Sequence, residues 1–186
     1  MDALPRLMPV SDDYATLPVA DAFNWAEGGS ELGAGEWYLV AFRSVRADGA
    51  DEAKLDAYDE RAHQEAAASP GFIHYLKGPR AGDGSCMSFC LWHSRAEARA
   101  AAGKPDHVRA VSLLDEMYES YTLEYLHVRR EANGPLSFEP YPTSPHAFGR
   151  HGVEPAATAP EALELEALPV VEPILPPLAV RPAPAS

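Results

Sequence analysis

Twelve of the 18 prolines in this 186-residue chain fall between Pro135 and Ser186, and that distribution decides where a core can form. Proline fixes φ and removes a backbone donor, so stretches such as Pro140-Tyr141-Pro142 and Pro173-Ile174-Leu175-Pro176-Pro177 cannot sustain regular helices or central strands. Residues 131–186 therefore read as a Pro-rich C-terminal tail. Within it, residues 160–168 suit a short helix. The apolar stretch 170–180 is expected to lie extended on the body or on a partner, because a simple flexible linker is more polar. Residues 1–35 are acidic and irregular, an N-terminal arm with Phe23 and Trp25 as anchors onto the body of the chain. That body is left as residues 36–130.

In the body the periodicity changes several times. Trp37-Tyr38-Leu39-Val40-Ala41-Phe42 is apolar on both alternating faces, as a strand covered on both sides must be. After Ala47-Asp48-Gly49, residues 51–69 are rich in Ala, Glu, Lys and Arg, with Leu55, Tyr58, Ala62 and Ala66 at helical spacing, and Pro70-Gly71 stops the helix. Residues 72–77 and 86–92 form a hairpin around a loop of turn formers, Gly78 to Ser85. Ser94-Arg95-Ala96-Glu97 is a capping box that starts a second helix. Gly103-Lys104-Pro105 interrupts it, Pro105 restarts it at a first-turn position, and the second piece is expected to run to about Ser120. Tyr121, Leu123, Tyr125 and His127 then alternate with Thr122, Glu124, Leu126 and Val128 along a last strand. Strand, helix, hairpin, helix and strand give an α+β, ferredoxin-like β-α-β-β-α-β unit. A four-stranded sheet with helices on one face leaves its other face needing cover, and a second copy of the chain is the simplest cover.

Charge and cysteine usage narrow the function classes. The formal net charge is −13, concentrated in the two extensions, so the body is close to neutral and offers no basic stripe for nucleic acid. No apolar run is long enough to span a bilayer and no secretory leader is evident, so a cytoplasmic protein without membrane contact is expected. Cys86 and Cys90 lie four apart in one strand; at ~3.3 Å per residue their Cα atoms sit ~13 Å apart, too far for a disulfide. Reduced cysteines acting as small hydrophobes are expected. No glycine-rich phosphate loop, nucleophile elbow or paired-Cys zinc motif is present.

Three short segments carry a family likeness: Ser69-Pro70-Gly71-Phe72, Leu91-Trp92-His93-Ser94, and Lys104-Pro105-Asp106-His107 followed by Ala110. With them the central half of the chain resembles the antibiotic-biosynthesis-monooxygenase-like family of dimeric α+β barrels. The resemblance implies a homodimer whose sheets form a barrel, with a ligand pocket in each subunit between sheet and helices. It also implies cofactor-independent oxygenation of aromatic, polyketide-like substrates or, in one branch, haem degradation. That branch uses an Asn on its first strand, a Trp in its second helix and an axial His beyond it. Counted from Ser94, those last two positions hold Ala101 and Val111, and the strand of residues 37–42 has no Asn, so haem degradation is not expected.

His107, Val111, Leu114 and Tyr118 fall at i, i+4, i+7 and i+11, one stripe that should face the sheet. An imidazole titrating near neutrality can take a proton from an activated phenol or anthrone-like carbon, and the anion can then reduce dioxygen without a cofactor if the site is dry and a donor holds the oxyanion. His107 is thus the candidate base. Trp92, Tyr75, Tyr118 and Tyr125 are the candidate aromatic lining, with their phenols or Arg43 as donors. The bland alternative has His107 bonding a backbone group at the helix break. His63, in the spacing Glu60-Arg61-Ala62-His63, is expected exposed or half-buried on a helix flank. His74 and His127 share strand faces with apolar neighbours, and no spacing forces the histidines to converge on a metal, so neither metal nor cofactor is expected. Two further readings stand beside the oxygenase: a non-catalytic scaffold engaging a partner through its apolar tail, and a haem-binding protein with His107 or His74 as ligand. A cavity of a few hundred Å³ beside His107 separates the first reading from the scaffold.

Overall fold

The structure, a computed structural model, describes residues 3–132, 134–142 and 146–149. The expected helix at 160–168 and extended stretch at 170–180 lie outside them. The strands are β1 (Gly35–Arg46), β2 (Phe72–Leu76), β3 (Ser85–Trp92), β4 (Tyr118–Arg130), β5 (Leu136–Pro140) and β6 (His146–Gly149). The helices are α1 (Val19–Ala22), α2 (Trp25–Gly28), α3 (Glu52–Ala67), α4 (Arg95–Ala102), α5 (Pro105–Val111) and α6 (Leu114–Met117). The sheet is antiparallel in the order β2-β3-β1-β4-β5, with β6 also paired to β4. Its first four strands are the ferredoxin-like arrangement. No helix among the described residues is long and apolar enough to cross a membrane.

The caps act where the residues place them. Asp51 accepts from the Lys54 amide (2.9 Å) to start α3. Ser94 accepts from the Glu97 amide (3.3 Å) to start α4. Between α3 and β2, Gly71 takes φ 77°, and a Cβ there would fall 2.2 Å from the Glu97 carboxyl, so the turn that ends α3 needs glycine. Pro105 opens α5, whose first two free amides, of Asp106 and His107, both donate to Glu65 Oε2 of α3 at 3.0 Å.

Three features differ from the sequence reading. The second helix stops at Val111 instead of running to Ser120: α6 is a separate turn, and Tyr118 already belongs to β4. The β-sheet continues past Arg130, because residues 136–140 and 146–149 add to the free edge of β4, where a strand-end proline such as Pro140 costs no ladder bond.

The third difference concerns what covers the sheet. The face opposite α3 to α5 is packed by the arm itself: Leu4, Tyr14, Val19, Ala22, Phe23 and Trp25 are buried on Leu39, Ala41, Met87, Phe89, Leu91 and Val128. Rings interlock there, with Phe23 to Phe89 at 5.2 Å, Trp25 to Phe89 at 5.3 Å and Trp25 to Phe138 at 5.0 Å. The polar ends are satisfied in place. Tyr14 donates to the Pro79 carbonyl (2.7 Å) and accepts from the Met87 amide (3.2 Å). Trp25 Nε1 donates to the Val19 carbonyl at 2.8 Å. The expected anchors Phe23 and Trp25 thus belong to a continuous layer, and no second copy is needed over this face.

Candidate functional site

Alternation along the strands sorts side chains to two sides. Trp37, Leu39, Ala41 and Arg43 of β1 point toward the arm, and Tyr38, Val40, Phe42, Ser44 and Arg46 point toward the helices. The register carries that parity across the sheet, pairing Val40 with Cys90 and Tyr125, Phe42 with Ser88 and Leu123, and Ser44 with Cys86 and Tyr121. On the helix side the packing is incomplete. A cavity of about 830 Å³ separates this sheet face from α3, α5 and α6. It is closed at one end by Tyr38, Ala66, Trp92, Ala98 and Ala101, and at the other Leu55, Leu113 and Met117 form a small cluster of their own.

Five of the six expected site residues reach this cavity. His107, Trp92, Tyr75, Tyr118 and Tyr125 all line it, although Tyr118 arrives from the first residue of β4 and not from a helix. Arg43 does not. By strand parity it lies on the arm side, where its guanidinium pairs with Glu124 and donates to the carbonyls of Ala15 and of Leu17 (2.7 Å). It fixes the arm and is removed from the set of oxyanion donors. The expectation failed because both faces of β1 are apolar, so nothing in the strand itself told which face the helices cover.

Four residues join the site that the sequence reading had not placed there. His63 is half-buried as expected, but it lines the cavity, its ring 4.8 Å from that of Tyr75 and 6.1 Å from that of Phe72. Asp59, one turn earlier on α3, accepts from the Tyr75 hydroxyl at 3.0 Å and pairs with Lys77 at 2.9 Å. Tyr121 and Arg46 complete the wall. The i, i+4 spacing of Asp59 and His63 on the flank of α3 was the available signal. It was weak because the same spacing on a helix flank is equally common on an exposed surface.

His74 and His127 are elsewhere. His74 is buried on the arm side with its ring 5.9 Å from that of Phe89, and His127 Nε2 lies 3.4 Å from Glu36 at the sheet margin. Both cysteines are free, and burial holds the Cys90 thiol well above its ordinary range, so it stays protonated.

The electrostatics of the wall favour neutral groups. Burial lowers the His107 pKa, against a smaller raising effect of Glu65, so the imidazole is uncharged at neutral pH and able to accept a proton. Burial raises the phenols of Tyr75, Tyr118, Tyr121 and Tyr125, and that of Tyr38 is pushed up to about 12; Asp59 adds to the rise at Tyr75. All remain O–H donors at any physiological pH. Tyr75 spends its proton on Asp59, whereas the Tyr121 hydroxyl makes no hydrogen bond among the described residues.

A family described as PB2B2.08-like matches residues 1–140. The chain belongs to that family. The match takes in the arm together with strands β1 to β5. Among curated proteins none matches. Solved structures similar to the chain include SnoaB, a cofactor-independent oxygenase from Streptomyces nogalater (20% identity over 54% of this chain and 97% of that one, TM-score 0.40). A putative antibiotic biosynthesis monooxygenase from Nitrosomonas europaea is 11% identical over 61% of this chain and 98% of its own, TM-score 0.40. A dimeric ferredoxin-like protein of unknown function from Thermobifida fusca is 16% identical over 53% and 95%, TM-score 0.41.

Proposed function

We propose that the chain is a small-molecule-binding protein that holds an aromatic, polyketide-like ligand between sheet and helices and oxygenates it without a cofactor, with His107 as base. The cavity of about 830 Å³ beside His107 carries this reading, since a scaffold protein would have filled that space with its own side chains. The neutral imidazole takes a proton from an anthrone-like carbon or a phenol. The resulting anion gives one electron to dioxygen, and the substrate radical and superoxide combine in a carbon–oxygen bond. The imidazolium returns its proton to the peroxide, and for an anthrone, loss of the second C–H proton with O–O cleavage releases water and leaves a quinone. The developing oxyanion needs a donor in a dry site, and the unengaged Tyr121 hydroxyl supplies one.

Oxygen uptake with a panel of anthrones and quinols tests this. Wild type should accelerate uptake with at least one of them, and His107→Ala should lose on the order of 100-fold or more of that acceleration. Equal rates for the two proteins remove His107 as the base. The homodimer expected from the resemblance belongs to this reading on a surface other than the arm-covered face, in a cytoplasmic protein; sedimentation at twice 20.1 kDa is its measure.

A further inference from the structure

One guanidinium in the cavity wall has more donors than acceptors. Arg46 is the last residue of β1, set at the register shift between Val45 and Arg46 in the pairing with β4, and it lines the cavity. Its side chain is 16% exposed, and Nη1 is sealed from solvent with no hydrogen-bond partner among the described residues. The nearest acid, Glu52, approaches Nη2 only to 3.9 Å, and its other oxygen is held by Arg80. Lys77 is taken by Asp56 and Asp59, each at 2.9 Å. The face of Tyr118, 5.0 Å from the guanidinium carbon, supports the charge but accepts no directed bond. The three cations and three acids here balance in charge. What is missing is an acceptor for Arg46, which cannot shed its proton to escape the deficit.

Arg46 lies at one end of a long cavity. Tyr38, Val40, Phe42, Ser44 and Arg46 all line it, and at ~3.3 Å per residue they extend over ~26 Å. The strand side of the wall beyond Arg46 is aromatic and carries no charge, with Phe42 against Tyr121 and Tyr38 stacked on Tyr125, while Asp59 of α3 and Arg99 of α4 stand on the helix side. Resting on the proposed reading that this cavity binds a small molecule, we infer that Arg46 anchors a carboxylate, so that the ligand is an elongated aromatic carboxylic acid with its acid group at the Arg46 end. A planar, singly charged carboxylate suits one guanidinium fork. A phosphate would bring a second charge toward Glu52.

The test is a fluorescence titration of the full chain with anthracene-2-carboxylate and with its methyl ester, each against wild type, Arg46→Gln and Glu52→Gln. In wild type the acid should bind about tenfold tighter than the ester, the range expected for a charge-assisted bond in a partly dry site. Arg46→Gln should abolish the preference by weakening the acid while leaving the ester within about twofold. Glu52→Gln should widen the preference by removing the competing carboxylate. Equal wild-type affinities for acid and ester, or a preference that survives in Arg46→Gln, overturn the carboxylate subsite and leave the binding cavity standing. If neither probe binds, the cavity reading fails and this one with it. Should Arg46→Gln not fold, an unchanged preference in Glu52→Gln is itself enough to overturn the subsite.

Discussion

The two faces of the sheet use the same strands to opposite ends. On the arm side Leu39, Met87, Phe89 and Leu91 are wholly buried under residues 4–32, and rings meet in edge and tilted contacts close to 5 Å. On the helix side Val40, Ser88 and Cys90, their immediate neighbours in sequence, and Phe42, next to the buried Ala41, keep accessible surface that is cavity wall. Close packing stabilises the first face; the second gives up part of that packing to keep a space of ligand size. Close packing and cavity wall thereby fall to alternate residues of one strand.

Removing residues 1–33 attacks the packed face at its largest scale. It uncovers the apolar strip from Leu39 to Val128, and we expect the truncated chain to self-associate or fail to fold in sedimentation at micromolar concentration. A well-folded monomer with unchanged thermal stability would break the comparison outright. Next, Phe89→Ala should cost about 3–5 kcal/mol in chemical denaturation, the range for a buried phenylalanine. Phe42→Ala, on the cavity side, should cost roughly 1–2 kcal/mol, because it enlarges a space that already exists and loses only part of a transfer energy. Equal losses would mean that the helix side is as well packed as the arm side.

Arg43→Met comes third. It leaves Glu124 and the carbonyls of Ala15 and Leu17 without their donor, and a loss of roughly 2–3 kcal/mol with little change in ligand binding is expected. Arg43 acting on ligand affinity instead would return it to the site. The smallest effect is in pH. His107 titrates below its ordinary value when folded, so between that lowered pKa and the unfolded one the unfolded chain binds more protons. Stability therefore rises with pH through that window and is eroded as pH falls through it. Activity that needs the neutral imidazole should hold from pH 7 to below 6.5 before it declines. Glu65→Gln keeps an acceptor for the α5 amides but removes the charge that raises His107, so the acid limb should move to still lower pH.

How far each feature was legible depends on the range of the interaction behind it. Caps, breaks and strand parity arise within a few residues, and they appear where the residues put them: Asp51 and Ser94 start helices, Pro105 restarts one, and Tyr121, Leu123 and Tyr125 share a face. The stripe from His107 to Tyr118 reached the cavity even though the helix that was to carry it breaks after Val111, because a strand start delivers Tyr118 to the same wall. Arg43 and Arg46 were not distinguishable in this way. They are three apart at the end of a strand apolar on both sides, and only the packing of other segments sends one to the arm and the other to the cavity. His63 and Asp59 were hidden for a similar reason, since a helix flank is inside or outside according to how the helix is set on the sheet, and here α3 stands off far enough for both to line the cavity.

By itself the sequence determined that residues 37–42 form a strand covered on both sides, that a ferredoxin-like order of elements surrounds it, and that His107 faces the sheet. What covers the second side was open, because burying apolar area stabilises a fold whichever segment supplies the cover. Only the tertiary structure decided that residues 3–32 of the same chain do so, and that the helices stand off the other face far enough to leave a cavity.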